Sequence, residues 1–153
     1  RQFHSDRGDI QQIGETMLRS LASDDFARLA ETMTDAKTYQ AYRDDMTAMF
    51  QHDINQGFES SSYEGRIAET RTAFERIRTS EAERFGIDWA SAVLVTVNLS
   101  EQTTNLANFT DYPRMEIVFR SGEYDYRIST FGAVRTAQGE LLLKPGRYWL
   151  VRQ

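Results

Sequence analysis

At Gly86 the hydrophobic period of this chain changes from helical to alternating, and that switch limits what it can fold into. Before it, apolar residues recur every three or four positions. The sets are Ile10, Ile13, Met17, Leu18 and Leu21; Phe26, Leu29, Ala30 and Met33; Tyr39, Tyr42, Met46, Met49, Phe50 and Ile54; and Tyr63, Ile67, Phe74, Ile77 and Phe85. Each reads as the buried stripe of a helix. Ser23 with Asp24 and Asp25, and Thr34 with Asp35, are residue types that cap helix N-termini, while Gly57 and Gly86 are suited to end helices.

After Gly86, Val93, Val95, Val97 and Leu99 alternate with Leu94, Thr96 and Asn98, the period of a strand. "MEIVFRSGEYDYRISTF" predicts a hairpin turning at Ser121 and Gly122, a second turn falls at Gln138 and Gly139, and Arg147 to Arg152 form a last strand. Residues 100–112 are polar and ambiguous, with "NLANF" a short edge strand before Pro113. Helices followed by an antiparallel meander predict an α+β fold, with N-terminal helices packed on a curved sheet of about four to five strands. No linker or repeat interrupts residues 1–153, which are read as one domain with a flexible segment 1–8. The expected pocket lies where the concave face of the sheet meets the helices.

Composition removes several function classes. The net charge is −5, and the densest basic region, Arg66 to Arg84, interleaves arginines with glutamates, so no phosphate-binding patch forms and no nucleic-acid partner is expected. No apolar run is long enough to span a membrane. Without cysteine there is no thiol chemistry or thiolate metal site. The chain starts at Arg1, which points to a removed leader and to a periplasmic or secreted location.

Three stretches resemble the cystatin-like architecture of the nuclear transport factor 2-like superfamily: "MLRSLASDDFARLAETM", "FRSGEYDYRISTF" and "TAQGELLLKPGRYWLV". The resemblance implies a cone of helices and curved sheet, and a family that includes isomerases, dehydratases, transport adaptors and immunity proteins. It also implies dimerisation through the convex face of the sheet, where Leu94 and Val118 are expected to face outward. Enzymatic members commonly carry a hairpin between the second and third main helices, where this chain has only "FESSSY".

The cluster "YRDDMTAMFQHD" (42–53) invites a search for chemistry. Asp45 and His52 are seven residues apart, about 10.5 Å along a helix, too far to share an ion, so no metal or other cofactor is expected. Asp53 projects within roughly 20° of the stripe's centre. Amid Tyr42, Met49 and Phe50 it is the candidate general base, with Tyr42 or Tyr126 as hydrogen-bond donor to an oxyanion. The candidate ligand-binding set is Tyr39, Tyr42, Met46, Asp53, Phe74 and Trp149, aromatic and apolar groups with polar handles. On the long helix, Arg78 and Glu81 are expected to pair with each other. The preferred reading is a non-enzymatic binding or accessory domain for a small apolar molecule or a protein. The alternatives are an isomerase- or dehydratase-like enzyme and an immunity or inhibitor protein that captures a basic partner.

Overall fold

Helix boundaries follow from side chains that satisfy the free backbone groups at each end. The computed structural model describes residues 3–50 and 62–153, with side chains from residue 8 onward. Helix α1 (Phe3–Ser23) begins inside the segment read as flexible. It runs through Ser23, whose hydroxyl donates back to Arg19 O at 2.7 Å. Asp24 then takes a left-handed φ of 53°, which short polar side chains tolerate, and ends the helix. The cap of α2 (Phe26–Ala30) is therefore Asp25, which accepts from the Arg28 amide at 3.1 Å, and not Ser23.

Asp35 caps α3 (Ala36–Phe50) by accepting from the Thr38 amide at 2.8 Å. That bond holds the Asp35 carboxyl below its ordinary value of 3.8. A depressed carboxylate contributes stability above the unfolded value, and the contribution fades as pH falls through the lower folded value. Asp35→Ala is expected to lower the unfolding free energy by about 1 kcal/mol at pH 7. The difference from wild type should shrink toward pH 3 in urea titrations at each pH.

Ser62 caps α4 (Tyr63–Arg76) through the Gly65 amide at 3.0 Å. The chain continues through a π-turn (Ile77–Glu81) into α5 (Ala82–Phe85), where Gly86 at φ 72° stops it as the sequence suggested. The π-turn adds a residue to the winding and changes which side chains meet. Arg76 pairs with Glu81 five positions on, while Arg78 turns back to Glu75 (2.9 Å) and Asp24 (3.0 Å). The expected Arg78–Glu81 pair does not form.

Eight strands follow: β1 (Val93–Leu99), β2 (Thr104–Asn105), β3 (Phe109–Tyr112), β4 (Met115–Ser121), β5 (Tyr124–Ser129), β6 (Ala133–Thr136), β7 (Leu141–Leu143) and β8 (Trp149–Arg152). The α+β arrangement stands, with helices preceding antiparallel strands. Among the described residues the strands form two four-stranded sheets, ordered β1-β4-β5-β8 and β2-β3-β6-β7. The short strands β2 and β3 arise in the polar stretch that had no clear period.

Four chain segments cross from one sheet to the other: β1 to β2, β7 to β8, β3 to β4 through Pro113, and β5 to β6 through Gly132, the last two meeting where Gly132 lies against Tyr112 O and Pro113. Thr130 ties the crossing: its amide and hydroxyl both donate to Met115 O, at 3.1 and 2.9 Å, and its hydroxyl oxygen accepts from the Gly132 amide at 3.0 Å. The first sheet and the helices enclose the larger core, which includes Met17, Leu29, Phe74, Ile117, Phe119 and Ile128. Gly14 lets α1 lie against β1, where a Cβ would meet Val97 Cγ2 at 2.5 Å.

A register shift between Leu94 and Thr96 inserts an extra residue in β1 and reverses its alternation. Leu94 and Val97 therefore pack against the core, and Val93 and Val95 are 63% and 50% exposed. Leu94 is not the outward-facing residue expected, and Val118 is buried at 5% exposure. None of the described helices is long and apolar enough to cross a membrane.

Candidate functional site

The second sheet has two working faces. Alternation sends Ala133, Leu141 and Leu143 into the larger core, and Phe109, Val134 and Leu142 to the other side. There α3 covers them with Tyr39, Tyr42 and Met46, making a smaller aromatic cluster that Leu106 and Tyr63 complete. Tyr42 meets Phe109 edge-on at 6.0 Å, and Tyr39 lies 5.7 Å from Tyr63. The α3 stripe stays buried only this far: Met49 and Phe50 are 48% and 44% exposed, beyond the cluster that receives Met46.

Inside this cluster lies a charged group that the sequence reading did not single out. Asp111 is two residues along β3 from Phe109 and shares its face, and Lys144 stands two residues beyond Leu142. Lys144 Nζ donates to Asp111 Oδ1 at 2.6 Å and to the Tyr42 hydroxyl at 3.4 Å, and that hydroxyl donates to the same Asp111 oxygen at 3.1 Å. The ammonium also sits 5.3 Å from the centre of the Tyr42 ring. Both charged side chains are about nine-tenths buried. Burial first, and the Asp111 charge second, push the Tyr42 phenol far above its ordinary value, so it stays a neutral donor.

The three side chains bond to one another. A general base needs a carboxylate oxygen turned toward a substrate proton. Here one Asp111 oxygen already receives both the ammonium and the phenol, and the phenol proton is engaged. The backbone around Lys144 is tied as well: its carbonyl accepts from the Tyr148 hydroxyl at 2.9 Å, and its amide donates to Gly132 O at 3.0 Å.

The other sequence-derived candidates are placed apart. Tyr126 belongs to the larger core, stacked 5.5 Å from Phe119, with its hydroxyl donating to Phe85 O at 3.2 Å. It does not join Tyr42. Phe74 is also in the larger core, edge-on to Phe26 at 5.4 Å. Trp149 is 42% exposed on β8, beside a groove that Arg76, Glu81 and Arg147 line. Of the proposed ligand-binding set, the structure thus brings together Tyr39, Tyr42 and Met46. Asp53 and His52 lie outside the described residues. Asp45 ties α3 to the β2–β3 turn, its carboxylate accepting from the Asn108 amide at 2.8 Å and from the Asn108 side chain at 3.3 Å.

The signal that would have found Asp111 and Lys144 is a charged residue continuing an apolar alternation. Phe109 precedes Asp111 by two, and Leu142 precedes Lys144 by two. No protein-family model, no curated protein and no solved structure matches the chain.

Proposed function

We propose that this chain is a non-enzymatic binding or accessory module of the cystatin-like, nuclear transport factor 2-like type, working in a periplasmic or secreted setting. The observation that carries the non-enzymatic part is the set of mutual bonds among Tyr42, Asp111 and Lys144. The interior groups best suited to acid–base work are engaged with one another. Tyr126, the other candidate donor, is engaged by a backbone carbonyl in a different cluster. Recognition then falls to the surface.

Nitration of tyrosines tests this reading. Tyr124, 50% exposed, is expected to react with tetranitromethane, while Tyr42 and Tyr126, at 5% and 2% exposure, stay unmodified in the folded protein. Nitration of Tyr42 or Tyr126 with the far-ultraviolet dichroism unchanged would show a pocket reaching these hydroxyls. It would replace the module by the isomerase- or dehydratase-like alternative.

A second reading, capture of a basic protein, is favoured by a specific feature: two adjoining grooves whose walls carry Asp9, Glu31, Asp35 and Glu140.

A further inference from the structure

The two grooves meet along one line of the surface. The first, about 540 Å³, runs between α1 and the β6–β7 turn, and the second, about 310 Å³, runs between the 30–38 segment and Tyr63. Glu31, Glu140 and Leu142 line both, so they stand at the junction, with Asp9 in one groove and Asp35 in the other. The backbone here is firm, because Thr32 O accepts from the Leu143 amide at 2.8 Å and the Thr34 amide donates to Leu143 O at 3.0 Å.

Two of the four carboxylates are already engaged. Asp9 is 3.6 Å from Arg135, and Asp35 is occupied by its helix cap. Glu31 and Glu140, both exposed, make no ion pair and no side-chain hydrogen bond among the described residues. An independent feature lies in the wall of the second groove. Thr34 is 1% exposed, and its hydroxyl has no hydrogen-bond partner among the described residues. That hydroxyl is closed to solvent, so a polar group of a bound segment meets it only where the groove wall opens. Among the described residues no three metal-binding side chains gather at one point, so a cation delivered on a side chain fits better than a bare ion.

We propose that these joined grooves bind an extended, Lys- or Arg-rich segment of a partner protein. One basic side chain lays its aliphatic stem on Leu142 and its head between Glu31 and Glu140. The inference rests on the binding-module reading and names the chemistry of the partner. Each groove takes a neighbouring residue of the segment, and the acidic balance of the whole chain speeds the encounter.

The test is a titration of the ¹⁵N-labelled full chain with a nine-residue peptide alternating arginine and serine, at low and moderate salt. Amide shifts are expected to concentrate in residues 30–35 and 138–142. Glu31→Gln with Glu140→Gln should weaken binding about tenfold or more without changing the melting temperature. Glu101→Gln with Glu123→Gln removes two exposed carboxylates outside the grooves and should leave binding within about twofold, the scatter allowed for distant surface charge. Equal weakening by both pairs, or shifts spread over every acidic surface, would mean that net charge alone attracts the peptide and would overturn the groove. No shift at millimolar peptide would overturn it too. Neither result touches the tyrosine nitration, which decides the module reading separately.

Discussion

Asp111→Ala is expected to cost about 3–5 kcal/mol of unfolding free energy, a large share of the roughly 5–15 kcal/mol that holds a domain together. The substitution leaves the Lys144 ammonium without its counter-charge, with its side chain only 10% exposed, and takes from Tyr42 the acceptor of its proton. For a chain of this length the melting temperature should fall by about 6–20 °C. Removing both charges is a different experiment. Asp111→Leu with Lys144→Met fills similar volume without an orphaned ion, and should return to within about 1–2 kcal/mol of wild type or exceed it. Thermal and urea unfolding followed by circular dichroism measure both. A loss under about 1 kcal/mol in Asp111→Ala would mean that water reaches the ammonium and that the site is open.

The second large effect is expected at Gly132→Ala. Gly132 has a φ of 90°, and a Cβ there would lie 2.0 Å from Tyr112 O and 2.7 Å from Pro113 C. The positive φ alone costs an L-residue about 1–2 kcal/mol. The overlap is with backbone, which cannot swing aside, so the crossing between the sheets must open. That strains the Thr130 bonds to Met115 and the Lys144 amide bond to Gly132 O, and through the latter it loosens the charged cluster. The expected result is a loss of at least about 3 kcal/mol, larger than φ strain alone gives. Gly139→Ala is the control. Its φ is 89°, nearly the same, but nothing lies within 4 Å of an added Cβ, so it should cost only the strain. Equal losses at the two positions would show that the crossing yields easily.

What could be read from the residues alone was whatever is local. The stripes Ile13, Met17, Leu21 and Phe26, Leu29, Met33 repeat within one or two turns, and all six residues are buried. Gly86 and Asp35 act within four residues of themselves. The failures share a cause in non-local or irregular structure. The extra residue in β1 is invisible in "VLVTVNL", where every valine fits an even alternation, yet it reverses the faces from Val95 back. The π-turn moved Glu81 from Arg78 to Arg76 by adding one residue to a turn that three- and four-residue spacing cannot represent. Asp111 and Lys144 each continue an apolar alternation, but a single charge at such a position does not name its partner. Only the pairing of β3, β6 and β7 brings them together under Tyr42, across 33 and 69 residues of chain.

The chain has only two lysines, Lys37, exposed at the start of α3, and Lys144. Timed acetylation of the folded protein, with each lysine followed by mass spectrometry of its proteolytic fragment, therefore compares a free amine with the buried one directly. If Tyr42, Asp111 and Lys144 form a closed structural tie, Lys144 reacts at least about a hundredfold more slowly than Lys37, at a rate set by local opening. Reaction of Lys144 within about tenfold of Lys37, in protein whose dichroism is unchanged, would contradict that closure and mark the cluster as an accessible, chemically active site.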